Sequence, residues 1–478
     1  MPPTHPRDRT ARLTPAALVT AALLAGCATP RPDAGFDQVN QTVRQHLNKD
    51  LQWARDETHR QLIDERVSDL LARPLSADTA VQLALLNHRG LQAAFDELGI
   101  AEADRVRALS LPNPGISIGR TQRGAEIESG LALHFNLARL LALPLVAEVE
   151  SRRIAQLQAD TALRAITHAT EVRRAWVLAV ASAESVRYAR QVMEAAAVSA
   201  ELARRMAAAG NFNKLQHARE QSFQADATLN LARAEQAQKA SRERLTRLLG
   251  LWGAQTAYRL PERLPDLPTA LEERTALESL AIAQRLDVQG ARLAAERTAS
   301  ALGLTRATRF INVLEIGAER ERSNEAPVKT GWEISLELPV FDSGHARVAR
   351  AESVYRQALN RAADVAINAR SEVREAWSTR QSTWEMARYH REQIVPLRQR
   401  IAEENLLRYN GMLIGVFELL ADARAQIASV NAAIDALRDF WLAQSELEMA
   451  LIGKPVATLP LAPALTRPDS APAHANPH

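Results

Sequence analysis

Trp332-Glu333-Ile334-Ser335-Leu336-Glu337-Leu338 alternates apolar and polar side chains residue by residue. The run continues into Pro339-Val340-Phe341-Asp342-Ser343-Gly344 and then a basic, alanine-rich stretch from His345 to Glu352. Period-two alternation with one apolar and one acidic face is what a barrel strand needs with lipid on one side and water on the other. About 9 to 11 residues cross a bilayer when tilted. A partner strand is expected from about Phe310 to Glu319, with the charged stretch Arg320 to Lys329 as the turn. One such hairpin alone reads equally well as a half-buried hairpin of a soluble protein.

Working outward, the same pattern recurs about 200 residues earlier. Pro114 to Gly119 and Gly130 to Leu137 flank a polar turn, and Leu131, Leu133, Phe135 and Leu137 alternate with Ala132, His134 and Asn136. The repeat extends beyond the hairpins. Val172-Arg173-Arg174-Ala175-Trp176 matches Val373-Arg374-Glu375-Ala376-Trp377, Gly210 matches Gly411, and Leu249-Gly250 matches Ile452-Gly453. Ala218-Arg219-Glu220-Gln221 aligns with Ala423-Arg424-Ala425-Gln426 at a slightly larger shift, so the second copy carries a small insertion after its glycine. Each copy therefore reads as a helical segment, a strand pair, a very long helix, a glycine turn and a shorter returning helix. Two equivalent hairpins, each feeding a rod-length helix, favour the membrane reading over the soluble one.

From Leu145 to Ala209 there is neither proline nor glycine, and at about 1.5 Å per residue a helix of that length reaches on the order of 100 Å. The expected shape is elongated. In the last helix Ile427, Val430, Ile434, Leu437, Trp441, Gln444, Glu448 and Leu451 step by 3 and 4 as a seam, and Trp377 and Trp384 are seven apart. Met193, Ala197, Ala200 and Ala207 form a small-residue seam that permits close helix approach. The remaining surface is rich in Arg, Glu and Gln, which suits a helical tube wet on both sides, although a solid antiparallel coiled coil satisfies the same seams. Pro396 predicts a kink in the second long helix that the first lacks.

Composition narrows the function. The chain has 59 basic and 56 acidic residues, so its net charge of +3 is a small difference spread along the chain and nucleic acid is not an expected partner. Aromatics are only 4%, against many Ala, Leu, Arg, Glu and Gln, which points to long helices. No nucleotide loop, zinc-ligand spacing or nucleophile elbow occurs, so neither enzyme, cofactor nor metal site is expected. His88, His134, His168, His217, His345 and His390 read as solvated helix or strand residues. Arg7, Arg9 and Arg12 precede an apolar run from Leu13 to Leu24, the layout of a secretory signal. It ends in Leu24-Ala25-Gly26-Cys27, which is similar to a bacterial lipobox, and Cys27 is the single cysteine. Lipidation of Cys27 would hold the mature N-terminus at a membrane, and with Ala28 rather than Asp after it the resemblance to a lipobox implies the outer membrane. No apolar run is long enough for a membrane helix, so any crossing is by strands closed into a barrel. Four strands are too few, since the smallest such barrels have 8, and several copies must share one.

Over Leu75 to Gly453 the chain resembles the TolC-like outer membrane factor family, in its lipoprotein form. The resemblance rests on the duplication, the Leu338 to Gly344 run with its basic helix start, the two helix-tip glycines, the closing Leu-Gly and Ile-Gly pairs and the lipobox. It implies a mainly α protein with a small transmembrane β part: a homotrimer whose 12-stranded barrel lies in the outer membrane and continues as a 12-helix periplasmic α-barrel. The implied function is the outer-membrane channel of a tripartite efflux system, passing small molecules or metal ions outward and catalysing nothing. Its partners would be a periplasmic adaptor (a membrane fusion protein), an inner-membrane pump and outer-membrane lipid. The adaptor would be met at the tips, Gly210, Asn211 and Phe212 in one copy and Gly411, Met412, Leu413 and Ile414 in the other. In the family an acid opens the returning helix and its three copies ring a gate; here Glu418 and Asp422 are the candidates, with the second acid displaced from the family pattern. Lys214 to His217 offer no acid in the first copy, which also has Leu140-Leu141-Ala142-Leu143-Pro144 in place of Phe-Asp-Ser-Gly. A structural coiled-coil lipoprotein of the periplasm and a periplasmic adaptor are the rival readings.

The expected organisation is a lipoprotein signal peptide over 1–26, a lipid-anchored segment over 27–74, a first repeat over 75–250, a linker over 251–274, a second repeat over 275–453 and a disordered Pro/Ala-rich tail over 454–478. Within the repeats the hairpins are expected at about 112–138 and 310–340, and the long helices at 145–209, 213–249, 343–410 and 415–452.

Overall fold

The computed structural model describes residues 30–272, 275–310 and 313–456. The signal peptide, Cys27 and most of the tail lie outside the described residues. The elements, in order, are α1 (Phe36–Leu47), α2 (Glu57–Leu71), α3 (Ala77–Asn87), α4 (Arg89–Leu109), β1 (Gly115–Arg123), β2 (Glu126–Asn136), α5 (Leu137–Ala208) and α6 (Lys214–Leu249). A short 3-10 turn, Gly253–Ala257, leads on to α7 (Leu277–Gln284), α8 (Leu286–Thr308), β3 (Leu314–Ser323), β4 (Lys329–Leu336), α9 (His345–Tyr389), a π turn (His390–Ile394), α10 (Val395–Asn410) and α11 (Val416–Ile452). The fold is mainly helical with a small β part, and the order helix, helix, hairpin, long helix, returning helix occurs twice. The chain divides into two compact units.

One unit holds residues 94–160 and 289–364 with the N-terminal part of α1. Its centre is a four-stranded antiparallel sheet in the order β1-β2-β3-β4, in which β2 of one hairpin pairs with β3 of the other. The strands run further than the sequence suggests, because Arg320 to Ser323 belong to β3 and Lys329 to β4, leaving 324–328 as the turn.

Two different corners turn the strands into helices. After β4, Asp342 Oδ1 accepts from the Gly344 amide at 2.9 Å. Gly344 sits at φ +74°, where a Cβ would lie 2.8 Å from the Arg309 carbonyl oxygen. Only glycine fits there without strain. After β2 there is no loop: Asn136 closes the strand and its Oδ1 accepts from the Arg139 amide at 2.8 Å, an N-cap geometry that lets α5 begin at Leu137. The helix thus starts eight residues before the expected 145 and contains Pro144, which forgoes one intrahelical hydrogen bond.

The second unit holds residues 40–93, 161–288 and 365–456 of the described chain. Leu75, Leu83, Leu85, Ile166, Val172, Val180, Leu245 and Leu249 are fully buried in it. A second cluster packs Val373 and Ala376 against Ala281, Leu447 and Ala450, and a third packs Ala387 and Phe440 against Leu267. The buried stripes therefore run Val373, Ala376, Arg380, Thr383, Ala387 on α9 and Phe440, Ala443, Leu447, Ala450 on α11. These lie one residue away from the expected seam through Trp441, Gln444 and Glu448, which meets the core at its last member, the buried Leu451. On α5 the expected seam holds at Ala200, which is buried, but its buried companions are Ala196 and Ala203 rather than Met193 and Ala197.

Trp384 and Trp441 flank the stripes because each indole N–H has a fixed acceptor: Trp384 donates to the Pro268 carbonyl at 2.9 Å and Trp441 to the Pro265 carbonyl at 3.0 Å. These bonds pin the proline-rich connection that the sequence marks only as irregular. Arg285, 1% exposed, is held by Asp287 and Glu372, each at 2.7 Å, and donates to the Ala450 carbonyl. Pro396 is accommodated by the π turn just before it, in which the Val395 amide donates five residues back to the His390 carbonyl.

Candidate functional site

Strand register sorts the sheet into two chemically opposite faces. Ile116 stands opposite Leu133, Leu133 opposite Ala318 and Ala318 opposite Trp332. The next row joins Phe135, Ile316 and Ile334. Ile118 and Leu131 pair one row nearer the turns, and Leu314 and Leu336 one row nearer the helices. This face is uncovered in the chain: Ile118 is 82% and Trp332 75% exposed. The opposite face carries Ser117, Thr121, Glu128, His134, Glu315, Glu319, Glu321 and Glu333, with Ser117 within hydrogen-bond reach of His134 at 3.0 Å and Lys329 paired to Glu321 at 3.0 Å. Glycines make room on it for the large polar groups. A Cβ at Gly331 would lie 2.8 Å from Glu319 Oε1, and one at Gly317 3.3 Å from His134 Nδ1. β1 and β4 pair on one side only.

Both helix tips are reversals of the Schellman type, in which amides past the helix end bond back to its last carbonyls. At the first, the Asn211 amide donates to the Met206 carbonyl at 2.9 Å and the Gly210 amide to the Ala207 carbonyl at 3.1 Å, with Gly210 at φ +78°. Asn213 and Gln216 then form a reciprocal capping box that starts α6. At the second tip the Leu413 amide donates to the Arg408 carbonyl at 2.8 Å and the Met412 amide to the Tyr409 carbonyl at 2.9 Å. The left-handed residue is therefore Met412, at φ +58°, and not Gly411, whose φ is −81°. The alignment of Gly210 with Gly411 is displaced by one residue in the backbone. Met412 is 93% exposed, beside an exposed Leu413.

Of the two gate candidates, Glu418 is exposed in the first turn of α11, whereas Asp422 is partly buried and accepts from the Asn405 side chain on α10. Sequence reasoning missed a buried pair whose arginine lies two residues beyond Asp422 on α11. Glu220 on α6 is 1% exposed and accepts from Arg424 Nη2 at 2.7 Å and from Ser199 Oγ at 2.9 Å. Both members of the pair fall in the aligned Ala-Arg-Glu-Gln and Ala-Arg-Ala-Gln runs, at non-equivalent positions, so alignment alone gave no sign that they meet.

His88 and His168 are not solvated, as the sequence suggested. Their rings stack with centroids 4.1 Å apart, and His168 lies 2.9 Å from the Leu248 carbonyl oxygen. Burial, with His88 as a neighbour, pulls the His168 pKa down to about 4. A neutral pair of this kind belongs to the core. Among the described residues no group of three or more His, Cys, Asp or Glu is placed to hold a metal ion, and no helix is long and apolar enough to cross a membrane.

No family model matches the chain. It is 24% identical over 291 residues to the cobalt-zinc-cadmium resistance protein CzcC of Cupriavidus metallidurans, a match spanning 57% of this chain and 64% of that relative's length. The outer membrane protein VceC of Vibrio cholerae superimposes with a TM-score of 0.66 at 15% identity, over 79% of this chain and 96% of that one. The outer membrane channel CmeC of Campylobacter jejuni does so with a TM-score of 0.67 at 15% identity, over 78% and 85%. The chain has the fold of the outer-membrane channels of the TolC-like family.

Proposed function

We propose that this chain is one third of an outer-membrane efflux conduit. The observation that carries the reading is the two-faced sheet. One face is apolar and uncovered, the other is acidic, and β1 and β4 each have a free edge. A four-stranded sheet cannot close by itself, whereas three copies meeting edge to edge make a 12-stranded barrel with lipid outside and water within. In that barrel Glu128, Glu315, Glu319, Glu321 and Glu333 face the lumen in triplicate, a charge lining that favours cations over anions. The similarity to a protein named for cobalt, zinc and cadmium resistance agrees with a cationic cargo.

The long helices of the duplicated halves continue as a 12-helix periplasmic tube. Gly210, Asn211 and Phe212 together with Gly411, Met412, Leu413 and Ile414 meet a periplasmic adaptor joined to an inner-membrane pump. A left-handed, fully exposed methionine next to an exposed leucine is a costly feature for a free turn, which supports contact at the second tip. Glu418 and Asp422 line the closed entrance, and Cys27 carries the lipid anchor.

Electron microscopy of the detergent-solubilised mature protein, together with conductance in a planar bilayer, tests the reading. The expected result is a hollow three-fold particle and pores that pass cations in preference to anions. A solid rod, or a monomer that forms no pores, would overturn it in favour of a structural coiled coil.

A further inference from the structure

We infer that Arg120, Arg320 and Arg322 form a basic seat on the lipid-facing side of the sheet for the phosphate groups of membrane lipid headgroups. The inference rests on the membrane-spanning reading above. Arg120 on β1 stands opposite Ser129, and Ser129 opposite Arg322 on β3. Arg320 lies two residues along β3, between Leu131 and Thr330. Alternation puts all three on the same face as Ile118, Leu131, Leu133 and Trp332.

With strands about 4.8 Å apart and about 3.4 Å per residue along them, the three Cα atoms fall within roughly 12 Å of one another. They occupy the rows next to the hairpin turns, at the end of the apolar band away from the helices. All three are exposed, and among the described residues none forms an ion pair or a side-chain hydrogen bond.

The acids of the strands, Glu126, Glu128, Glu315, Glu319, Glu321 and Glu333, all lie on the other face by register. Three guanidiniums this close repel one another unless an anion comes between them, and the sheet supplies none on their side. An arginine at the rim of an apolar surface can lay its stem on that surface and carry its head to the interface. Phosphate suits the guanidinium fork. The seat is continuous with the apolar band, so one molecule with acyl chains and a phosphorylated headgroup satisfies Ile118 and Leu131 below and the arginines above. Free phosphate would use only half of this surface.

The test uses the full mature protein in phosphatidylcholine nanodiscs containing a minor fraction of bis-phosphorylated lipid A or its dephosphorylated form, with retained lipid counted by native mass spectrometry. The wild type is expected to retain lipid A over the dephosphorylated form. R120Q/R320Q/R322Q is expected to lose that preference by about fivefold per arginine removed, and R123Q, on the acidic face, to keep it. Equal retention of the two lipids by the wild type would overturn the seat, and that comparison needs no variant to fold. Displacement of lipid A by millimolar inorganic phosphate would overturn the commitment to lipid. Conductance of the same preparations separates the two levels. Pores without lipid preference refute only the seat, and absence of pores refutes the membrane reading and the seat with it.

Discussion

Replacing Arg424 by methionine probes what holds the returning helices together near their tips. Glu220 is 1% exposed, and its carboxylate is supported by Arg424 Nη2 at 2.7 Å and Ser199 Oγ at 2.9 Å. The guanidinium also lies 4.4 Å from the Phe223 ring centroid, so the substitution removes a cation–π contact along with the ion pair. Stripping one partner from a buried pair costs about 3–5 kcal/mol, because the other charge stays in low dielectric uncompensated. The Arg424 side chain is 36% exposed, so water reaches one side of the pair and about 2–3 kcal/mol is the expected loss. Adding Glu220→Gln removes the stranded charge while keeping an acceptor for Ser199, and the double variant should return to within about 1 kcal/mol of the wild type.

A single melting temperature is not well defined for a long chain that divides into two compact units. Native-state hydrogen exchange of peptides covering 199–224 and 418–430 reads the local opening instead. A loss of about 2–3 kcal/mol corresponds to roughly 30- to 150-fold faster exchange in Arg424→Met. Unchanged exchange in the single variant, or a double variant worse than the single, would refute the reasoning, because the buried charge would then not be what the arginine compensates.

Five further variants have expected outcomes. His168 titrates at about 4 in the folded chain and near 6.5 unfolded, so between those values the unfolded state binds more protons. Stability is then full above about pH 6.5 and falls as pH drops towards 4, by at most about 3 kcal/mol, and His168→Gln should flatten that window in urea titrations followed by exchange of residues 161–175. Gly344→Ala places a Cβ 2.8 Å from the Arg309 carbonyl oxygen at φ +74° and should cost at least about 1–2 kcal/mol at the corner, read as faster proteolysis at 338–345. Gly303→Ala, with no neighbour within 4 Å on α8, should be neutral or stabilising. Met412→Gly should slow opening of the second tip by about 1 kcal/mol in exchange measurements, whereas Gly411→Ala should change it by less than about 0.5 kcal/mol, because Gly411 already holds an ordinary φ.

The parts of this fold that follow from local alternation are readable in the residues themselves. Trp332 to Leu338 shows its two faces directly, because a strand's period of two needs no knowledge of what lies opposite. Helix seams are harder. At a period of 3.6, neighbouring stripes differ by one residue, and the large side chains Trp377, Trp384 and Trp441 drew the seam onto themselves. The buried stripes run through Val373, Ala376, Phe440 and Leu447 instead, and the indoles of Trp384 and Trp441 stay at the stripe's edge, where they find acceptors in the Pro268 and Pro265 carbonyls. The second tip reverses where the sequence places it, between Asn410 and Val416, but its left-handed residue is not the glycine. A glycine in a turn sequence predicts the left-handed position by propensity, but the hydrogen bonds of the second tip assign it to Met412. The Glu220–Arg424 pair depends on two helices far apart in sequence and has no local signature.

A two-faced sheet by itself does not decide between a membrane and a water-soluble home, since half-buried hairpins in soluble proteins alternate in the same way. What decides is where the cover comes from. In a soluble hairpin the apolar side packs on the chain's own core, and large residues there would be buried. Here Ile118, Trp332 and Ile334 stay exposed although the unit around them is complete enough to bury Phe95 and Leu98. A slip of one residue would exchange the faces, and the glycines oppose it: Gly317 and Gly331 stand where His134, Glu333 and Glu319 need space, so the acids are locked onto their side. With the register held and the apolar side bare, the cover has to be supplied from outside the chain. A protein partner large enough to cover that face would also have to neutralise Arg120, Arg320 and Arg322 at one end only, whereas a lipid leaflet presents an apolar slab bounded by phosphates, in the same order as the rows of the sheet.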